Sequence, residues 1–400
     1  MKNFLTGIAK AGRELIGLTG DRGRVKEFNS LCSELLKLKG EASAVALADD
    51  LLTHYADLDT DSRTQFFVML LEDMQPADKE IERAIREYQE LPAPHTLMNL
   101  CAAAESPRRD LLRALNMAPD GTVALVRMRE DLLEALKEEP QLKPVDLDFL
   151  YLFRSWFNRG FLSLRRIDWE TPAYILEKLI AYEAVHEIRG WDDLRRRLAD
   201  DRRCFAFFHP ALPDEPLMFV EVALVKGLAS SIEQLIETPV DEAGPQPDTA
   251  IFYSISNCQR GLANVSFGNF LIKQVTEMLA AEIPSLKHYA TLSPIPGFCR
   301  WLNDTLVHAP STLPLKSAEF ERLDALKIGN WHLDKATTKK LKSLLCRLCA
   351  HYFLSVKSGM QPHDPVARFH LRNGARLERI NWLADRSAKG LRESATMMVN

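Results

Sequence analysis

Two polar residues suited to chemistry stand beside abrupt breaks in apolar stretches. Ser293 follows Leu286–Leu292, which has the length of a short strand, and opens the breaker sequence SPIPGF. His370 stands shortly before Asn373-Gly374, a strong turn signal, and has apolar neighbours on both sides. A serine hydroxyl can hydrogen-bond a substrate, and a histidine titrates near neutral pH and can deliver a proton. Taken alone, each residue also has a structural explanation, in the proline breaks or in apolar packing.

A loop of small residues precedes Ser293 in the chain. Ala250–Ser256 has the pattern of a buried strand, and a helical pattern begins near Asn269 and ends at Pro284. The intervening Gln259–Asn269 contains glycine and alanine with little bulk beside them. Together with the strand Leu286–Leu292, this order predicts a βαβ unit. Its loop presents backbone N–H groups at a helix N-terminus, where a pyrophosphate binds well. The alternative is a plain turn.

Three further motifs have a chemical and a structural interpretation. Glu221 lies inside an apolar run and is either a paired structural acid or a site residue. The cluster Arg195-Arg196-Arg197 could meet phosphates, but it also fits a solvated helix face. Cys346 and Cys349 have zinc-like spacing without a second cysteine pair, which favours free cysteines in a helical core.

The composition excludes several classes of function. The chain has 400 residues, of which 46% are hydrophobic and 26% charged, as is typical of a soluble globular protein. A net charge of −4 gives no overall field that attracts nucleic acid. No run of about 18 apolar residues predicts a membrane span. Seven scattered cysteines favour a reducing compartment, and the amphipathic first 18 residues lack the features of a signal peptide. We therefore expect a cytoplasmic protein.

The periodicity predicts an α+β protein with two domains. Residues 22 to 158 contain successive amphipathic stretches with short breaker-rich links, which predicts an all-α helical bundle over residues 1–158. A second domain over residues 159–400 contains a hairpin, Cys204–Phe208 with Leu217–Val225, followed by the βαβ unit. This order resembles the acetyltransferase fold of the GNAT superfamily. There a Gln/Arg-x-x-Gly-x-Gly/Ala turn holds the pyrophosphate of coenzyme A, and Gln259–Asn264 approximates that turn.

Several separated motifs together resemble the malonyl-CoA decarboxylase family. They occur in the family's order and cover residues 120 to 400, whereas the first helices resemble the family only in character. The matching stretches are Val123–Glu134, Gly160–Trp169, Ala250–Ser256, Gly268 with Phe270–Lys273, Leu292–Phe298 and Pro365–Ser387. The family has a helical N-terminal domain and a GNAT-like catalytic domain, the architecture that the periodicity predicts.

The resemblance implies conversion of malonyl-CoA to acetyl-CoA and carbon dioxide with neither metal nor biotin, and a homotetramer. It identifies Ser293 and His370 as the catalytic residues. We expect His370 to protonate a thioester enolate and Ser293 to be its polar partner at the malonyl group. The residues expected to bind the CoA and malonyl groups are Ala263, Asn264, Val265, Ser266, Phe267, Gly268, Asn269, Ser293 and His370.

Two other functions remain open from the sequence. A GNAT-type acyltransferase would need an amine acceptor site, for which no motif stands out. A CoA-binding sensor without turnover would keep the fold and lose the chemistry. Arg260, Lys273 and Arg300 are equal candidates for the 3′-phosphate of CoA. Ser266 stands where several relatives have an acid, so the role of that acid cannot be transferred to this chain. Relatives also continue past Asn400 with a tyrosine-bearing segment, whose role cannot be transferred either.

Overall fold

The computed structural model describes residues 21–38, 40–238, 246–265 and 270–400. The amphipathic first 18 residues and Ser266–Asn269 of the predicted binding loop lie outside the described residues. The described residues divide into two compact units. The helical unit comprises those within Met1–Phe161, Pro210–Leu212 and Gln259–Ser266. The α/β unit comprises those within Leu162–His209, Pro213–Cys258 and Phe267–Asn400.

The helical unit confirms the predicted succession of helices. Asp59 caps α3 by accepting a hydrogen bond from the Ser62 N–H, and prolines occupy the first turns of α5, α6 and α8. The helices are α1 Asp21–Lys37, α2 Glu41–Ala56, α3 Thr60–Asp73, α4 Asp78–Glu90, α5 Pro94–Ala104, α6 Pro107–Leu115, α7 Gly121–Ala135 and α8 Lys143–Trp156.

Aromatic packing and buried ion pairs stabilise this unit. Phe28 and Tyr55 each make an edge contact with Phe66, at ring-centroid distances of 5.6 and 5.3 Å. Arg108 is buried and donates to Asp148 at 2.8 Å. The hydrogen bond between the two groups offsets part of the cost of burying them.

The α/β unit contains the predicted hairpin and βαβ unit, joined to further helices. Its strands and helices are β1 Ser163–Ile167, α9 Ala173–Tyr182, α10 Trp191–Arg197, β2 Arg202–Phe208, β3 Met218–Val225, α11 Ile232–Glu237, β4 Thr249–Asn257, α12 Phe270–Glu282, β5 His288–Thr291, β6 Ser293–Pro294, α13 Phe298–His308, α14 Ser317–Leu323, α15 Lys335–Ser355, β7 Lys357–Ser358, β8 Gln361–Pro362, α16 Pro365–Arg372, β9 Ile380–Asn381, α17 Ala388–Ser394 and β10 Met398–Val399.

The main sheet has the strand order β1-β2-β3-β4-β5. Neighbours are antiparallel from β1 to β4, whereas β4 and β5 are parallel and linked through α12. This confirms the α+β class and the acetyltransferase-like order of elements. The parallel pairing ends at Phe252 and Thr291, although β4 runs on to Asn257. The two strands therefore part at this point.

A second, small sheet has the order β6-β10-β9. The alternating residues of Arg376–Trp382 predict a strand, but only Ile380–Asn381 pairs. Arg376–Arg379 is exposed, and the backbone at its end bonds to Asn400 outside any ladder. Alternating charged and apolar residues imitate a strand here without a neighbouring strand along their full length.

Only part of the arginine cluster on α10 forms the predicted solvated face, since Arg195 is exposed and Arg197 is buried. Arg197 is buried and donates to Glu221 at 2.9 Å, which confirms Glu221 as a paired acid. Arg196 pairs with Asp201 at 2.7 Å. Arg195 stacks on the ring of Trp169 at 5.2 Å. Each arginine thus has a partner within the α/β unit.

Two smaller predictions have different outcomes. Thr171-Pro172 has the sequence pattern of an N-cap followed by a first-turn proline, but the Thr171 hydroxyl accepts from the backbone N–H of Asp168 and the helix begins at Ala173. Cys349 lies in the apolar core beside Leu345 and Leu348, as predicted for a structural cysteine.

Candidate active site

Ser293 lies where β5 ends and the chain changes sheet. Leu292 is buried and its N–H donates to the Phe252 carbonyl at 2.9 Å, which is the last bond between the diverging strands. Ser293 then pairs with Val399 of β10. Its side chain is held at the strand opening with only 5% of the residue exposed. A serine in this position is fixed by strands on both sides of the change.

His370 is positioned by α16, whereas the sequence placed it only before a turn. The side chain of Asp364 caps this helix by accepting from the N–H groups of Val366 and Ala367 at 3.0 and 2.9 Å. Pro365 occupies the first helical position and fixes its φ angle. The cap sets where the helix begins, and so where the histidine stands, about one and a half turns later.

The structure brings the two predicted catalytic residues together across 77 positions of sequence. His370 Nε2 lies 3.3 Å from Ser293 Oγ. Ser293 Oγ donates to Thr291 Oγ1 at 2.9 Å. Because the serine hydrogen is directed at Thr291, the bond to the imidazole uses a lone pair of the serine oxygen. That arrangement requires the hydrogen of the neutral imidazole on Nε2.

Burial keeps His370 uncharged in the free protein. It lowers the pKa of the imidazole from 6.5 to about 4, since an imidazolium loses hydration when it is buried. The ring of Phe369 packs edge-on at a centroid distance of 5.0 Å. At neutral pH the site therefore presents a neutral imidazole, which an incoming negative charge can convert to its charged form.

Thr291 is a site residue that sequence reasoning missed. Thr291 and Ser293 are two positions apart, and residues at this spacing in a strand point to the same face. This spacing is the signal that could have found it. The threonine hydroxyl accepts the serine hydrogen and so selects one orientation of the Ser293 hydroxyl.

Asn400 is a second site residue that sequence reasoning missed, and its side chain hydrogen-bonds the backbone of Thr291. Its Nδ2 donates to the Thr291 carbonyl at 2.8 Å. Its Oδ1 accepts from Asn381 Nδ2 at 2.8 Å and from Arg379 Nη2 at 3.0 Å. The residue is 7% exposed, so this network replaces water around the amide. No local pattern in the sequence indicates it, because its partners are distant in the chain.

Gly297 lies where the SPIPGF break packs against the N-terminal cap of α16, the helix that carries His370. A methyl group added there would overlap the hydroxyl of Tyr352 and would lie 3.5 Å from Asp364 Oδ2. Asp364 is 1% exposed, and burial raises the pKa of its carboxyl above the ordinary value. The glycine thus lets the break pack closely against the cap of α16.

The described part of the predicted binding loop belongs to the helical unit. A 3₁₀ turn spans Arg260–Leu262, Ala263 and Asn264 are exposed, and Val265 is buried. Asn264 has a φ angle of 64°, a left-handed conformation that asparagine tolerates. Ser266, Phe267, Gly268 and Asn269 lie outside the described residues.

The three candidates for the 3′-phosphate remain unassigned. Arg260 forms an exposed pair with Glu134 at 3.6 Å, and Lys273 and Arg300 are exposed on α12 and α13. Within the described ranges, no group of three or more His, Cys, Asp or Glu side chains could hold a metal ion. The expectation of a reaction without metal or biotin stays a prediction. Among the helices of the described residues, none is long and apolar enough to cross a membrane.

The fold and this site define an α+β domain with acetyltransferase-like strand order and a serine–histidine pair at the strand opening. The model of the malonyl-CoA decarboxylase C-terminal domain matches residues 160–400. The model of the malonyl-CoA decarboxylase N-terminal domain matches residues 74–157. The chain belongs to the malonyl-CoA decarboxylase family.

Relatives and solved structures agree with this assignment. The chain is 38% identical over 320 residues to the mitochondrial malonyl-CoA decarboxylase of Anser anser anser, covering 74% of this chain and 64% of the relative. It thus spans less than two thirds of that relative's length. The crystal structure of malonyl-CoA decarboxylase from Rhodopseudomonas palustris is 49% identical, with a TM-score of 0.89 and coverage of 94% and 92% of the two chains. The enzyme from Agrobacterium vitis is 48% identical, with a TM-score of 0.87 and coverage of 93% and 91%.

Proposed function

We propose that this protein is a carboxy-lyase that converts malonyl-CoA to acetyl-CoA and carbon dioxide. The observation that carries the proposal is the 3.3 Å approach of His370 Nε2 to Ser293 Oγ at the strand opening. Membership of the malonyl-CoA decarboxylase family supports the choice of substrate. We infer no metal or biotin in the reaction. A homotetramer and a cytoplasmic location are further parts of the proposal.

The reaction needs one bond to break and one proton to arrive. The bond between the α-carbon and the free carboxylate breaks, carbon dioxide leaves, and the electron pair remains as a thioester enolate. The enolate oxygen needs hydrogen-bond donors to stabilise its developing charge. The α-carbon then takes a proton from the imidazolium of His370, which leaves the imidazole neutral, and the next proton is taken up from water when a new substrate binds. General acid help of this kind contributes roughly 10²–10⁴-fold to the rate.

The neutral state of His370 couples its protonation to substrate binding. Its pKa of about 4 leaves it uncharged before the substrate arrives. The malonyl carboxylate places a negative charge beside the imidazole, which raises the pKa and favours proton uptake. The proton donor therefore forms together with the bound substrate. Departure of carbon dioxide removes the carboxylate and leaves the proton free to move to carbon.

Ser293 holds the malonyl group in this scheme. Its hydroxyl bonds to Thr291 in the free protein, and rotation toward the substrate would exchange that acceptor for a malonyl oxygen. The surroundings are apolar, with Leu292 and Met398 buried in the core beneath the strand opening. A site with little water strengthens these hydrogen bonds.

We assign binding of the CoA pyrophosphate to the segment from Ala263 to Asn269. The segment lies between the 3₁₀ turn that follows β4 and α12, a 13-residue helix whose first N–H groups lack intrahelical acceptors. Ala263 and Asn264 are exposed, and so are available to a ligand. The resemblance of this segment to the CoA-binding segment of the family supports the same assignment.

Incubation of the purified protein with malonyl-CoA alone tests the proposal. Separation of the acyl-CoA species should show acetyl-CoA forming with release of one carbon dioxide, with no amine or added metal present. A Ser293→Ala variant should bind malonyl-CoA and convert it far more slowly. Binding of malonyl-CoA without conversion by the parent protein would contradict the decarboxylase and would favour a sensor.

A further inference from the structure

A buried arginine in the helical unit holds the backbone that leads into the proposed CoA-binding segment. Arg129, on α7, has no exposed surface. Its Nη1 donates to the carbonyl of Gly261 at 2.5 Å and to the carbonyl of Ala263 at 2.9 Å. Its Nε donates to Asp146 Oδ1 at 2.8 Å. One guanidinium thus connects α8 to two peptide groups of the 3₁₀ turn.

The neighbouring residues of α7 fix the same turn from other directions. Glu130 Oε1 accepts from the Gly261 N–H at 3.2 Å. A methyl group on Gly261 would overlap the carbonyl oxygen of Val126, so only glycine permits this approach. Both backbone groups of Gly261 are therefore bonded to α7. These contacts fix the position of the turn on the helical unit. A surface loop without a function would not need to be fixed in this way.

Asp146 also fixes the orientation of the Arg129 guanidinium. Asp146 accepts from Arg129 through one oxygen and from Lys143 through the other, at 2.6 Å. An arginine can hold an acid and two carbonyls at once because its guanidinium is a rigid planar fork. A lysine has the same charge but is a single point donor. Replacement by lysine would keep the ion pair and lose the fork.

We propose that Arg129 is a positioning residue, which fixes the Gly261–Ala263 turn so that the exposed Ala263 and Asn264 bind the pyrophosphate of a CoA thioester. This inference rests on the proposed function. Arg129 acts through the turn, so its effect should appear in binding of the nucleotide end of the substrate and not in the chemical step.

Arg108 provides a matched control within the same unit. It is also buried and also pairs with an acid, Asp148, at 2.8 Å. Its other bonds go to the carbonyls of Leu70 and Met74 on and beside α3. Arg108→Lys therefore disturbs a buried pair of the same type without a bond to the turn.

The test compares Arg129→Lys and Arg108→Lys in the full chain by calorimetric binding of CoA and by kinetics with two substrates. We expect Arg129→Lys to raise the Kd for CoA and the KM for malonyl-CoA about tenfold, with kcat within about twofold of the parent. With malonyl-pantetheine, which lacks the pyrophosphate, its kcat/KM should equal that of the parent. Arg108→Lys should lower the Tm and leave the Kd within about twofold.

Gly261→Ala displaces the turn without altering α7, and it keeps the inference testable if Arg129→Lys does not fold. It should raise the Kd for CoA in the same way. Equal Kd values for the parent and both turn variants would overturn the inference, as would an equal loss with malonyl-pantetheine. A parent that binds CoA but does not convert malonyl-CoA would contradict the proposed function, while the contrast in Kd would still decide the role of Arg129.

Discussion

The α/β unit contains two polar pairs that differ in charge, one buried and one half-buried. Arg197 and Glu221 form an ion pair at 2.9 Å, with Asp193 as a second acid on the arginine. His370 and Ser293 approach to 3.3 Å, and within the described residues burial is the cause of the lowered histidine pKa, with no charged partner contributing. In the first pair, the arginine and the acid already have each other as partners. The second can still accept a charge, which a substrate supplies.

This difference predicts what each pair contributes. A buried ion pair that loses one member leaves an uncompensated charge, which costs stability. A neutral pair that loses one member leaves no buried charge, and the main loss is in the chemistry. The Arg197–Glu221 pair should therefore affect folding, and the Ser293–His370 pair should affect turnover.

The largest expected effect is on turnover by His370→Asn. Loss of the proton donor should lower kcat by roughly 10²–10⁴-fold, because general acid help has that magnitude. The Tm at neutral pH should stay close to that of the parent, since the imidazole is neutral there. Steady-state kinetics with malonyl-CoA and thermal unfolding measure the two quantities. A variant with the parent's kcat would refute the role of His370.

The next effect is on stability, through Arg197→Met. Burial raises the pKa of Glu221 to about 8 even with Arg197 beside it, so this change removes the guanidinium that offsets the cost of burial and should lower the free energy of unfolding by about 3–5 kcal/mol. Denaturant unfolding measures the loss. The double variant Arg197→Met with Glu221→Met is the control, and it should recover most of the stability because no buried charge remains. A double variant as unstable as the single one would show that the charge is not the cause.

The pH dependence of stability separates the two pairs further. The unfolded histidine has a pKa of 6.5 and the folded His370 one of about 4, so the unfolded chain binds more protons between these values. The contribution of His370 to stability is therefore complete above pH 6.5 and is lost as the pH falls toward 4, by on the order of 1–3 kcal/mol. His370→Asn should flatten this part of the curve of unfolding free energy against pH. An unchanged curve would contradict the burial of a neutral imidazole.

The smallest expected effect comes from the support of Ser293. Thr291→Val removes the hydroxyl that accepts the serine hydrogen, and should cost about 1 kcal/mol in stability and about tenfold in kcat. Thr291→Ser keeps the acceptor and should restore kcat. Equal kcat for the valine and serine variants would show that the hydroxyl does not orient Ser293.

The sequence predicted those parts of the fold that depend on local patterns. The β2–β3 hairpin and the βαβ unit follow from alternating apolar strands and a helical stripe, and the structure confirms both. The two-residue strands β6, β9 and β10 have no periodic signal, because distant neighbours create them. The burial of Arg197 likewise depends on Glu221, 24 positions away, so local charge suggested a solvated face instead.

The candidate site was also predictable only where local sequence motifs indicated its residues. Ser293 and His370 came from family motifs, and the spacing of Thr291 could have added a third residue. Asn400 and Arg129 could not be found, because their roles come from bonds across 109 and 132 positions of the chain. Such bonds are a property of the packing of whole elements, which local sequence does not encode.

The most direct test of the account is the pH dependence of both kcat and kcat/KM for malonyl-CoA between about pH 5 and 9. The kcat/KM profile reports the free enzyme, where His370 has a pKa of about 4, and should fall about tenfold per pH unit across this range. The kcat profile reports the complex, and its alkaline limb should lie at a higher pH because the bound carboxylate raises the pKa of His370. Two profiles that are both level from pH 5 to 8 would contradict protonation of His370 by substrate binding.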